Sequence, residues 1–258
     1  MPSHTKMVTP ITLYPATPAD IPTLSTISSL AFKTDTHTRL KELIRGDDFA
    51  EGTKSHLEGL LSASPGRCSV LKAVAEDGQA VGWACWGFRG LDGPIAETIA
   101  APEPSIDGRE EQQKEGSKAE EGSASADEKE QDTAKTKIAE LEALTDTSMA
   151  SWMAKLMPEG TKCMYIISIC IHPSHQGQGI GRSLIQWGTS LADEKGVFCW
   201  VHSSDGGWKV FEKEGFGEVG RLEVELDEFA CGIENEEGDG GRWGSYVWRY
   251  MRRPEALS

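Results

Sequence analysis

Between Ile169 and Arg182 the chain reads I-C-I-H-P-S-H-Q-G-Q-G-I-G-R, and here residue types and spacing could do chemistry. A β-branched run is stopped by His172-Pro173. Gly177, Gly179 and Gly181 follow at alternate positions, and a helical pattern begins near Gly179. Glycine lets backbone N–H groups approach an anion without side-chain obstruction. A helix start adds N–H donors that have no partner within the helix, and the positive end of the helix dipole. Together these make a cradle for phosphate. Two phosphate-binding patterns fail on the letters. GxxxxGK[ST] fails because Gln176 holds the first glycine position and Arg182-Ser183 follows Gly181. GxGxxG fails because the glycines read GxGxG, and the next apolar run, Val197–His202, does not end on an acidic residue. The spacing that fits is [QR]-x-x-G-x-[GA], as Gln176, Gly179 and Gly181.

The elements that must position this loop follow from periodicity. Ile11–Tyr14 reads as a first strand. Thr17-Pro18 then opens a helix in which Ile21, Leu24, Ile27, Ser28 and Ala31 recur at helical spacing up to about Phe32. A second helix is expected over about 47–62. Cys68–Glu76 and Gln79–Phe88 are β-rich runs joined by Asp77-Gly78, a hairpin signal. Apolar residues from Ile138 to Met157 return at helical spacing. Lys162–Ile171 is nearly continuous and β-branched, which predicts a central strand. A helix over 179–195, a buried strand over 197–202, a short helix over 207–214 and strands over 216–226 and 245–251 complete the pattern. Trp83, Trp86, Trp200 and Trp208 fall in or beside the sheet, where they pack or line an acceptor pocket.

The loop, the preceding strand with His-Pro, and Val210-Phe211-Glu212-Lys213-Glu214-Gly215-Phe216 together resemble the GCN5-related N-acetyltransferase (GNAT) family. The resemblance covers roughly 11–102 and 138–252. It implies an α/β (α+β) fold: a mixed, mostly antiparallel central sheet, helices on both faces, and two central strands, 162–171 and 197–202, that splay apart. A pantetheine arm would lie between them, along Ile169, Cys170 and Ile171, with backbone groups of Ile169 and Ile171 bonding it. The amides of Gln176, Gly177, Gln178, Gly179, Ile180 and Gly181, with Arg182, would hold the pyrophosphate. Acetyl-CoA is the implied co-substrate, and the implied reaction is direct attack of an amine on the thioester.

This chain departs from the family pattern at the chemistry. The usual thiolate-protonating tyrosine falls at Phe211, which has no acidic proton but would still border the cofactor. The frequent asparagine seven residues earlier falls at Ser204, whose hydroxyl can bond pantetheine or carry a proton. No carboxylate stands near Ile167 and Ser168. His202, at the end of the neighbouring strand, is the candidate base, since an ordinary histidine pKa near 6.5 suits that work. His172 and His175 flank the cradle as turn or rim residues. A non-catalytic acyl-CoA-binding module is the alternative reading.

Composition bounds the rest. The 258 residues carry a formal charge of −15, with no broad basic face, so nucleic acid is not an expected partner. The negative charge concentrates between Glu103 and Glu142 and between Glu223 and Asp239, which suits solvated loops or attraction of a cationic amine. Residues 101–136 hold almost no large apolar side chain and read as an acidic, disordered insertion within one domain spanning 1–258. There is no apolar run of membrane-spanning length and no secretory h-region, so a cytoplasmic or nuclear location without membrane partners is expected. The six cysteines form no CxxC pair and no zinc spacing, which predicts reduced thiols and no metal. The acceptor, a small-molecule amine or a protein amine, and the oligomeric state stay open.

Overall fold

The computed structural model describes residues 10–46, 48–62, 66–91 and 126–256. Among these residues seven strands form one sheet: β1 (Ile11–Pro15), β2 (Cys68–Ala75), β3 (Ala80–Arg89), β4 (Cys163–Ile171), β5 (Phe198–Ser203), β6 (Gly217–Glu225) and β7 (Ser245–Arg253). Their order across the sheet is β1-β2-β3-β4-β5-β7-β6. Every neighbouring pair is antiparallel except β4 and β5, which run parallel. The mixed sheet expected from the sequence is the sheet observed. Strands from before and after residues 92–125 lie side by side in it, β3 against β4.

Among the described residues six α-helices cover the two faces. On one face α1 (Ile21–Phe32) and α3 (Phe49–Ser62) pack over β2, β3 and β4, burying Leu24, Ile27 and Leu57 against Val70, Trp83 and Cys85. On that same face α2 (Thr36–Arg45) and α4 (Ala126–Leu156) bury Leu40, Ile44, Ile138 and Leu141 over Val224, Tyr246 and Trp248 of β6 and β7. On the other face α5 (Ile180–Lys195) and α6 (Trp208–Lys213) cover Trp86, Met164, Ile166, Val201 and Met251. The alternation of inward side chains along β4 and β7 sorts their residues between these cores.

Two expectations need correction. The stretch 101–136 was expected to lack structure throughout, yet α4 begins at Ala126, so its last eleven positions, 126–136, are helical. Ala134 and Ile138 are buried against the β6–β7 core, and that burial offsets the poor intrinsic pattern of the segment. Residues 101–125 lie outside the described residues. The sequence reading also left 36–45 unassigned, where the structure has α2. Its signals are local: Asp35 accepts a hydrogen bond from the Thr38 amide at 2.9 Å, and Gly46 ends the helix at φ 70°.

The fit between α5 and the sheet is close enough to test. A Cβ added at Gly188 would lie 2.1 Å from Trp86 Cε2. The indole cannot slide away freely, because its N–H donates to the Leu184 carbonyl at 3.2 Å. Helix propensity alone favours alanine over glycine by about 1 kcal/mol. We expect the opposite sign here: Gly188→Ala should destabilise the fold by about 1–3 kcal/mol through overpacking, read from the denaturant midpoint.

Candidate functional site

The site is built around the place where β4 and β5 part. Their pairing runs from Cys163↔Phe198 to Ile166↔Val201 and stops there, while β4 continues to Ile171 and β5 to Ser203. Each strand keeps its outer neighbour past that point. β4 stays on β3 as far as Ile171↔Gly82, and β5 stays on β7 through His202↔Tyr250 and Ser203↔Arg249. The two therefore diverge and leave a cleft between Ile167–Ile171 and His202–Ser203. A register shift sits at the same level: Cys85 pairs with Ser168 but Trp86 pairs with Ile166, so Ile167 is an extra residue in β4. Such a bulge bends a strand and re-aims its side chains.

The cleft leads to the glycine loop. His172-Pro173 ends β4 in a single tight turn over Pro173–His175, and α5 starts at Ile180 with Gly179 as its N-cap. Gly177 and Gly179 have φ of 73° and 88°, the left-handed region that disfavours any Cβ. Gly181 differs: its φ is not positive, and a Cβ there would meet only Ile171 Cγ1 at 3.7 Å. The Ser183 amide closes the first helical bond, onto the Gly179 carbonyl at 3.0 Å. The amides of Ile180, Gly181 and Arg182 precede it at the helix start. The Gln176 amide is already bonded to the Pro173 carbonyl at 3.2 Å. Side chains brace the loop from below. Gln176 Nε2 donates to the Ile171 carbonyl at 3.1 Å, and Gln178 Nε2 donates to the Ser174 carbonyl at 2.9 Å. The Arg182 guanidinium pairs with Glu214 at 3.0 Å and so ties α5 to the end of α6.

The remaining predicted residues fall as follows. Ile169 and Ile171 face the α5 core, whereas the Cys170 side chain packs on the α1 side, where burial pushes its thiol up to about 12. Phe211 is 2% exposed and packs edge-on to Phe216 at 5.7 Å, a core contact under α5. Ser204 follows β5 directly, and its carbonyl accepts from Ser203 Oγ at 3.0 Å. His202 stacks on Tyr250 with centroids 4.6 Å apart, and Trp152 of α4 stacks on Tyr250's ring at 5.0 Å. Burial lowers the His202 pKa to about 4, and its Nε2 is buried without a hydrogen-bond partner. The ordinary histidine basicity assumed for it is thus absent. His172 and His175 share Ser174 Oγ, at 2.7 and 3.0 Å, beside the cradle.

Sequence reasoning missed a cavity of about 460 Å³ that opens on the α1–α3 face and reaches β4 at Ser168 and Cys170. Helix α1 contributes Ser28 and Phe32; α2 contributes His37, Lys41, Glu42 and Arg45; α3 contributes Phe49 and Gly52; Trp83 lies on β3. Ser168 comes just after the last β4–β5 pair, so cavity and cleft meet at one level of β4. Burial, with the Lys41 charge nearby, lowers the His37 pKa to about 4. Lys41 and Arg45 both pair with Glu142 of α4, the former at 2.6 Å. Asp35 holds the α2 start against the sheet by accepting from Tyr246 Oη at 2.6 Å. The missing signal was α2 itself, since without that helix the cavity has no wall on that side. Among the described residues no cluster of His, Cys, Asp or Glu is arranged to hold a metal. None of their helices is long and apolar enough to cross a membrane.

Comparison with known proteins agrees with this geometry. Residues 106–216 match the model of the acetyltransferase (GNAT) family. A solved Corynebacterium glutamicum protein, described as histone acetyltransferase HPA2 and related acetyltransferase, superposes with a TM-score of 0.50 at 14% identity, over 96% of this chain and 98% of that one. The ribosomal-protein-S18-alanine N-acetyltransferase from Escherichia coli gives 0.46 at 11% identity, with 96% of each chain covered. A GCN5-related N-acetyltransferase from Kribbella flavida gives 0.46 at 14%, over 95% of this chain and 97% of that one. No curated protein sequence matches. Residues 106–216 are thus similar to the GNAT acetyltransferase family, and the sheet with its parallel β4–β5 pair has the fold of the solved acetyltransferase on which it superposes.

Proposed function

We propose that the protein is an acyl-CoA-dependent N-acyltransferase that moves an acetyl group to an amine. One observation carries the reading: the strand β4 leads from an unpaired cleft edge directly into the glycine loop and the amides at the start of α5. The residues present fit an acyl-CoA. Past Ile166, β4 has lost its β5 partner, and its backbone groups can bond the amides of a pantetheine arm as a strand would. In this reading Ile169, Cys170 and Ile171 line that arm. The amides of Gly177, Gln178, Gly179, Ile180, Gly181 and Arg182 receive the diphosphate, Gln176 fixes the loop through Ile171, and Ser204 and Phe211 border the arm on the β5 side.

The acyl-CoA supplies a thioester whose C–S bond breaks as the amine nitrogen bonds the acyl carbon. The nitrogen gives up a proton and the departing thiolate takes one. What this chain contributes is position: two reactants held on either side of β4, a factor that can be large without any acid or base. His202, with a pKa near 4, is neutral at pH 7 and too weakly basic to serve as a base there. Proton removal in this reading falls to water, and His202 serves as a stacked wall of the cleft. Phe211 supports a second reading, a non-catalytic acyl-CoA binder, because its buried ring stands where a proton donor would be needed.

Calorimetry with acetyl-CoA and thiol release with an amine panel decide between these readings. The enzyme reading predicts binding and steady turnover, both lost by at least about tenfold in Gly179→Glu, which sets a carboxylate and a strained φ in the cradle. Tight binding with no turnover on any amine would establish the second reading, and no binding would overturn both. His202 gives a separate, signed expectation. Its folded pKa lies below its unfolded one, so the unfolded chain binds the extra proton and stability falls as pH drops from about 6.5 towards 4. In His202→Phe that loss should shrink by on the order of 1 kcal/mol or more, measured by urea unfolding at pH 7 and pH 5. The pH profile of kcat/KM should keep its wild-type shape in the same variant; a lost inflection near neutrality would instead make His202 the base.

A further inference from the structure

The cavity above β4 carries information about the acceptor, given the transferase reading just proposed. Its lining includes three aromatic residues: Phe32 and Phe49, whose rings touch with centroids 5.3 Å apart, and Trp83. The Trp83 indole N–H is already used twice, by the Leu24 carbonyl at 3.2 Å and Ser28 Oγ at 3.0 Å, so this buried residue offers no free donor.

The charged groups along the wall are engaged within the protein. Lys41 and Arg45 converge on Glu142. Glu42 accepts from the Phe49 amide at 3.2 Å and Asp48 from the Ala50 amide at 2.8 Å, so both carboxylates serve the start of α3. A volume of about 460 Å³ is in the range that encloses a small molecule.

Gly52 adds an independent observation. It lies inside α3, where glycine weakens a helix, and its backbone is ordinary helix that any residue could adopt. A Cβ built there meets nothing within 4 Å, and the residue lines the cavity. No packing contact requires glycine at this position. What its missing side chain provides is space at the cavity wall.

We infer that the acceptor is a small primary amine on an aromatic or similarly bulky apolar body, seated against the Phe32–Phe49 pair beside Gly52, with its nitrogen directed at Ser168. Selection then works by shape and apolar contact with the body, and the amine is presented where β4 has parted from β5.

The test uses the full chain and the variant Gly52→Leu, whose Cβ meets nothing within 4 Å and whose fold is checked by its denaturant midpoint. Phenethylamine, spermidine and a lysine-containing peptide serve as probes, both for binding by calorimetry and for acetyl-CoA-dependent thiol release. Phenethylamine should bind, and should be acetylated with a kcat/KM at least tenfold above the other two. Gly52→Leu should weaken its binding tenfold or more while the Kd for acetyl-CoA stays within twofold. Preferred turnover of spermidine or the peptide would overturn this inference and leave the transferase reading standing. So would phenethylamine binding that is indifferent to Gly52→Leu. Failure of acetyl-CoA to bind the wild-type chain would remove the transferase reading and this inference with it. Phenethylamine binding that is weakened by Gly52→Leu, measured without acetyl-CoA, supports the pocket assignment on its own.

Discussion

The structure depends on two parallel strands that cannot stay together. β5 is held by β7 on its far side and β4 by β3 on its own, and past Ile166↔Val201 each follows its outer partner. Backbone N–H and C=O groups removed from a partner must find another, and burying them unsatisfied costs free energy. Under the proposed function, this edge of β4 is where an extended ligand would bond. The extra residue at Ile167 falls at the same level, so the break in pairing on one side of β4 coincides with a break in register on the other.

The rest of the fold can be understood as holding that break open and building on it. α5 packs on β3 and β4 through Trp86, Leu184 and Gly188, which anchors the glycine loop at the top of the cleft. On the opposite face the Asp35–Tyr246 bond, the packing of His37 on Trp248 and the pairing of Lys41 and Arg45 with Glu142 hold α2 as a wall. The cleft receives one proposed reactant from the α5 side and the cavity receives the other from the α1–α3 side. The two meet at Ser168, and the proposed catalysis consists mainly of that meeting.

The acid–base groups make a consistent contrast with this. His202 and His37 are both held near pKa 4 by burial, and the Cys170 thiol is pushed up to about 12 by the same cause. Each is fixed in its neutral form around pH 7. None of the three offers proton-transfer chemistry near pH 7.

Local sequence was enough to determine the elements whose cause is local. The β-branched run 163–171 had to be a buried strand. His172-Pro173 had to stop it, and Gly177 and Gly179 marked backbone that only glycine adopts comfortably. Those signals marked the glycine loop and, with the order of strands, the mixed sheet. Two things were decided only by tertiary structure. The helix over 126–136 forms because its continuation is buried on β6 and β7, although its own composition reads as solvated chain. The cavity exists because α1, α2 and α3, together with Trp83 and Ser168 from distant strands, close around one space. No single stretch of sequence encodes that juxtaposition, and the basicity of His202 was likewise beyond its reach, since burial by Tyr250 and its neighbours sets it.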